Sequence, residues 1–358
     1  MHESKLFWAL RHAVLAFPLI FLACGSNSSS SSPPPPPPPP PVKKQLPVWT
    51  NNFYGIPFTM VGTDPSIPGS GTTTVPVEII PVTFTFTSYG VTLSPQNSAC
   101  GDSVSMVARI TQSPVFTTNT WMDQGTLIGK TQYPDAYQRA NLWSVVSTSS
   151  PNYHVLLQPV SVTAAISVEG PASAALQSNP NPLCPQPLVS IPVSFMDSVV
   201  QQYVSAQQIT ADTLPIFVTY NMIFLPSPTT TWLGYHNARG GQTYAVASYN
   251  DPSFNLFGYD SSDIAVLSHE IGEWMDNPLG VNKVPAWGNM GIQQGCNTDL
   301  EVGDPLSGNS FPMPTATFTY HVQELAYFSW FARNIPSLAL NGRYSSQGTF
   351  LTPAAPCP

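Results

Sequence analysis

The chain has 358 residues, of which 8% are charged, and 11 Lys and Arg against 19 Asp and Glu leave a formal net charge of −8. With no basic run in the body of the chain, nucleic acid is excluded as a partner, because phosphate binding needs a clustered positive footprint. Low charge, 40 prolines and abundant Ser, Thr and Asn suit an exported, β-rich, long-looped protein.

The first 23 residues read as an export signal. Lys5 and Arg11 supply positive charge, and Ala13 to Ala23 form an apolar stretch too short to span a bilayer. The residues Phe21-Leu22-Ala23-Cys24-Gly25 resemble the lipobox of bacterial lipoproteins, with Phe21 where that family usually has Leu. The resemblance implies lipidation at Cys24. It also implies a lipid-anchored place in the bacterial cell envelope, in the periplasm or on the cell surface. Serine dominates residues 26–32, and Pro33 to Pro41 is unbroken proline, a semi-rigid spacer of about 28 Å in polyproline II. Residues 24–46 are therefore a tether, and the membrane is touched only through the anchor.

Residues 47–190 carry mainly strand signals. Val75 to Phe86 is β-branched and aromatic, and Pro76 and Pro81 predict an edge strand or a bulge. Tyr153 to Leu157 and Val160 to Val162 also read as strand, with His154 a satisfied histidine. Tyr133 to Trp143 predicts a short helix whose Asp135 and Arg139 have the spacing of a surface salt bridge. Four cysteines lie beyond the tether: Cys100, Cys184, Cys296 and Cys357. In an exported chain they predict two disulfides, and Cys100–Cys184 with Cys296–Cys357 keeps each pair within one half of the chain.

From residue 191 to 358 the pattern becomes mixed, so the fold class is α+β. Phe195 to Gln208 predicts a helix, Leu214 to Leu225 and Thr243 to Tyr249 predict strands, and Tyr320 to Arg333 predicts a final helix carrying His321. Between them lies Asp263-Ile264-Ala265-Val266-Leu267-Ser268-His269-Glu270-Ile271-Gly272-Glu273-Trp274-Met275-Asp276-Asn277-Pro278. Ile264, Leu267 and Ile271 recur at helical spacing, and Pro278 stops the helix. Asp260 and Asp263 form a carboxylate version of a capping box. His269 and Glu273, four apart, share one face and can close on one metal ion. Glu270 points about 100° round the helix, where a general base for water would sit. Asp276, two turns on, is placed to support a ligand imidazole from behind.

A three-donor site needs one more ligand, and Glu301 and Asp304 are the leading candidates. His236 is a candidate ligand, substrate contact or oxyanion stabiliser, and His321 a further candidate ligand. A His/Glu/Glu set suits zinc but is hard enough to admit Ca²⁺ or Mn²⁺.

The segment Leu267 to Glu273 with Asn277-Pro278, followed by Glu301-Val302-Gly303-Asp304, resembles zincin metallopeptidases with Glu273 in place of the second histidine. It is also similar to phosphate-induced, exordium-like proteins and their bacterial relatives. The likeness spans roughly Thr219 to Asp304. It implies a zincin-like α/β part preceded by the β-rich part. It also implies Glu301 as third ligand with Asp304 supporting it, the two roles being exchangeable. The activity implied is zinc peptidase cleavage of a peptide or protein substrate by water activated at Glu270. The competing reading is a zincin-like surface protein without chemistry, associated with cell wall or glycan.

Overall fold

The structure, a computed structural model, describes residues 44–53, 55–179, 181–251, 261–291 and 293–357. The expected signal, the expected lipidation site Cys24, the expected tether up to residue 43 and Asp260 lie outside them.

The strand Thr72–Phe86 is the spine of the fold. Its Thr, Val, Ile and Phe residues favour a pleated backbone, and Val75, Val77, Ile79, Val82 and Phe84 are all buried. It pairs in parallel with His154–Val162, with Ile166–Glu169 and with Leu214–Tyr220, and antiparallel with Val91–Leu93. Residues 77–79 have partners on both sides, so this is an interior strand rather than an edge, and the other outcome its prolines predicted, a bulge, fits the ladder at Pro76. The ladder accommodates the missing N–H groups by breaking at them. Its register shifts between Val75 and Val77, around Pro76. Pro81 falls between the last partner in one strand, Ile79↔Val162, and the first in the next, Val82↔Ile166.

Beyond Leu214–Tyr220 the sheet continues with Gln242–Tyr249 in parallel and ends on Gly234–Arg239, antiparallel. Asn221, at φ +50°, turns the predicted Leu214–Leu225 strand into two pieces. The second, Met222–Ser227, belongs to a separate four-stranded sheet with Thr230–Trp232, Leu188–Pro192 and Ala175–Gln177.

The expected boundary at residue 190 therefore runs through shared sheets. Strands from both sides of it interleave, and the described residues form one compact unit. The α+β class stands.

Side chains alternate across the edge strand. Tyr235 points to one face, where its hydroxyl and that of Tyr244 donate to Asp197 of the helix Val193–Gln207 (2.9 and 3.0 Å). Gly234 and His236 point to the other face, towards the helix Ala265–Asp276.

Two further predictions are corrected. Tyr320–Arg333 is not one helix. Thr319–Gln323 pairs antiparallel with Ser310–Pro314, and only Phe328–Phe331 is helical, so His321 sits on a strand. Tyr320 and Val322 alternate into the core, and cross-strand pairing prevails over a helical spacing that had no partner of its own. Asp135 and Arg139, on the helix Tyr133–Asn141, are buried and do not pair with each other. Asp135 accepts from Thr131 Oγ1 (2.7 Å), His154 Nδ1 (2.7 Å) and Val155 N (2.6 Å). Arg139 donates to the carbonyls of Ile128, Pro151 and Tyr153.

Cys100–Cys184 and Cys296–Cys357 are disulfide-bonded, with Cα atoms 5.4 and 5.7 Å apart. Two such bonds fit an oxidising, extracytoplasmic compartment. No helix among the described residues is long and apolar enough to cross a membrane.

Candidate metal centre

The helix Ala265–Asp276 forms where the apolar spacing predicts it, and every residue in it is buried. Ile264 and Ile271 are fully enclosed on the core side. Gly272 packs closely on Leu325: a Cβ there would lie 2.4 Å from its Cδ1, so that side chain would have to move. Asn277, before Pro278, leaves the α region at φ −142° and ψ 54°, as the proline requires.

Asp260, one half of the expected capping box, lies outside the described residues, and the helix opens after Ile264 with no side-chain cap. Asp263 instead takes a positive φ of 43°. Its carboxylate accepts from Ile264 N (2.5 Å) and His321 N (3.0 Å) and pairs with His321 Nδ1 (2.6 Å). His321 is thus engaged at the start of the helix, about two turns from His269 along the axis.

The polar face gathers six side chains. His269 Nε2 lies 3.2 Å from Glu273 Oε1, 3.6 Å from Asp304 Oδ1 and 4.0 Å from Glu270 Oε1. His236 Nδ1 lies 3.6 Å from both Glu270 Oε2 and Glu273 Oε2, and its Nε2 lies 4.0 Å from Glu301 Oε2. Asp304, rather than Glu301, is therefore the acid beside His269, while Glu301 stands beside His236. Asp304 also opens the turn Asp304–Leu306 through its backbone.

The loop 301–304 is held on the helix from several sides. Glu273 Oε1 accepts from Gly303 N (3.0 Å) and Asp304 N (3.3 Å). Gln323 donates from Nε2 to the carbonyl of Gly303 (2.8 Å), and its own N–H donates to Ser268 Oγ (2.9 Å). Ala326 N donates to the carbonyl of Val302 (2.8 Å). Gly303 lies flat on the His269 ring: a Cβ there would be 2.5 Å from Nδ1. Its φ of −87° suits any residue, so the glycine is required by the imidazole and not by the backbone. Gly303→Ala is expected to push the ring or the loop aside and weaken metal binding by about 10–100-fold, as loss of a ligand's support does. A zinc titration of the two forms checks this, and equal affinity would remove that role from the glycine.

Asp276 does not support a ligand imidazole. Seven residues along a helix return to the same face but about 10 Å further on. Its Oδ2 accepts from Tyr137 Oη (3.0 Å) and Asn141 Nδ2 (3.1 Å), and its backbone carbonyl accepts from Asn282 Nδ2 (2.6 Å). Burial pushes its carboxyl up to about 7. Trp274 and Trp287 are core residues.

The electrostatics are those of a site built around positive charge. Burial lowers the affinity of His236 and His269 for protons, but the surrounding carboxylates outweigh it and hold both imidazoles well above their usual range. Burial also raises Glu273, yet the two imidazoles prevail and hold it well below the carboxylate range. Glu270, Glu301 and Asp304 are all raised, first by burial and then by Glu273, and Asp304 reaches about 7. Glu270 Oε2 and Glu301 Oε2 are buried with no hydrogen-bond partner.

Two donor sets have all their atoms within 4.8 Å of one another: His236 with Glu270 and Glu273, and His269 with Glu273 and Asp304. A tetrahedral ion with bonds of about 2.0–2.1 Å has its ligand atoms roughly 3.4 Å apart. The imidazole–carboxylate spacings of 3.2–3.6 Å in these sets match it. The residues therefore fit a divalent cation by donor type, spacing and unsatisfied charge.

Sequence spacing had not singled out Gly303, Gly234, Ser268 or Gln323. Gly234 carried a readable signal, a glycine inside a strand, which marks close approach. A Cβ there would meet Glu270 Oε1 and the Val246 carbonyl, each at 2.8 Å. No protein-family model matches this chain, and neither a curated protein nor a solved structure does.

Proposed function

We propose that this chain is an exported metal-dependent hydrolase of zincin-like fold that cleaves peptide bonds, tethered through Cys24. The observation that carries the proposal is a buried Glu270 carboxylate, one oxygen unpartnered, beside the His269–Glu273–Asp304 donor set. Those three residues would hold the ion. When bound, zinc supplies Lewis acidity towards a carbonyl oxygen and acidifies a nearby water, the latter less than in a three-histidine site because two carboxylates offset its charge.

The remaining tasks fall to the chain itself. Glu270 Oε1, 4.0 Å from His269 Nε2, stands where it can take the proton of an attacking water and return it to the leaving amine. His236 Nδ1, 3.6 Å from Glu270 Oε2, steadies that carboxylate from the strand side. The helix side of the site is closed, whereas the Glu301 and Asp304 side chains retain 21% and 26% exposure. Substrate therefore enters from the 301–304 side.

Support for a zincin-like fold comes from the order of elements: parallel strands, an antiparallel edge strand carrying His236, and the metal helix packed beneath it. The edge strand also favours a peptide substrate. Gly234–Arg239 ends its sheet, and such an edge pairs with extended chains through backbone hydrogen bonds.

The test is hydrolysis of an unfolded protein substrate by purified protein before and after chelation. Cleavage should stop on chelation and return on adding zinc. A metal-loaded protein that cleaves no peptide would instead support the non-catalytic surface protein.

A further inference from the structure

We infer that the centre seats two divalent cations, with Glu273 bridging them. The inference rests on the proposed metal site and adds a second seat to it. The two oxygens of Glu273 face different imidazoles: Oε1 is 3.2 Å from His269 Nε2, and Oε2 is 3.6 Å from His236 Nδ1. Glu273 belongs to both donor sets, one with His269 and Asp304 and the other with His236 and Glu270. A carboxylate with an ion on each oxygen is the arrangement that holds two metals about 3.5–4 Å apart.

Charge and donor number point the same way. Four carboxylates, Glu270, Glu273, Glu301 and Asp304, converge with two imidazoles. With the imidazoles neutral and the carboxylates ionised, as metal ligation requires, one dication would leave two negative charges uncompensated in a largely closed site, whereas two dications balance all four. Six donor residues also exceed the three or four protein ligands that a single zinc takes.

An independent observation marks the second seat. Glu270 is 4% exposed, and its Oε2 is buried without a hydrogen-bond partner, 3.6 Å from His236 Nδ1. A buried carboxylate oxygen without a hydrogen bond is costly, and a cation held by His236 Nδ1, Glu270 Oε2 and Glu273 Oε2 would satisfy it in place of the 3.6 Å ion pair with His236. Gly234 lets the strand come close to that carboxylate: a Cβ at this position would lie 2.8 Å from Glu270 Oε1. Glu270 then seats the second ion through Oε2 and keeps Oε1, on the His269 side, for proton transfer. Mixed nitrogen and oxygen donors select zinc or manganese over calcium at this seat.

Metal content of the chelator-stripped and zinc-reloaded chain tests the inference without any activity. Two equivalents are expected for the unaltered protein, one for His236→Ala and one for Asp304→Ala. The manganese-loaded unaltered protein should also show the electron paramagnetic resonance signature of an exchange-coupled pair, a readout that needs no variant. One equivalent in the unaltered protein, with an uncoupled manganese spectrum, would overturn the second seat and leave the proposed hydrolase standing. No bound metal would overturn both. Two equivalents without hydrolysis would uphold the pair of ions and remove the hydrolase.

Discussion

Glu273→Gln is expected to strip the protein of bound zinc and of hydrolysis together. No other side chain belongs to both donor sets. The amide keeps the shape and can still accept from Gly303 N and Asp304 N, which are 3.0 and 3.3 Å from Oε1 in the parent. It loses the negative charge that faces two imidazoles. Removing the support of a ligand costs about 10–100-fold in metal affinity, so removing a shared ligand should cost more than roughly 100-fold. Zinc affinity by competition with a chromophoric chelator gives the answer, with thermal unfolding of the metal-free proteins as the control for fold. Unchanged affinity in a folded Glu273→Gln protein would mean that the cluster is not the metal centre.

Glu270→Gln should separate binding at the His269–Glu273–Asp304 donor set from chemistry. The ion held by His269, Glu273 and Asp304 should remain, because none of those groups is altered. The proton acceptor is lost, and general-base catalysis typically contributes about 10²–10⁴-fold. The fall should appear in kcat, with KM little changed, because the substitution touches a step after substrate binding. Equal kcat values for the variant and the parent would sink the assignment of Glu270 as base.

Local spacing made half of the centre readable from the chain alone. His269, Glu270 and Glu273 lie within about one turn of one helix, so their relative placement follows from 3.6 residues per turn whatever surrounds them. Pro278 ended that helix for equally local reasons. The strand Thr72–Phe86 was legible from its β-branched run, and the two disulfides pair as the division of the cysteines into halves suggested.

The other half was decided only by tertiary structure. His236 reaches the centre because its strand crosses over the helix and strand alternation turns residue 236 towards that helix and residue 235 to the opposite face of the sheet. Glu301 and Asp304 were both visible as acids, but how the loop crosses the His269 ring at Gly303 sets which one stands beside which imidazole. Asp276 shares a face with His269 on a helical wheel, yet the two-turn rise carries it to Tyr137 and Asn141. The interior position of the proline-bearing strand, the strand under His321 and the sheets shared across residue 190 have one physical cause. A strand is completed by partners distant in sequence, so its place depends on what packs against it, while a helix closes its hydrogen bonds within its own few turns.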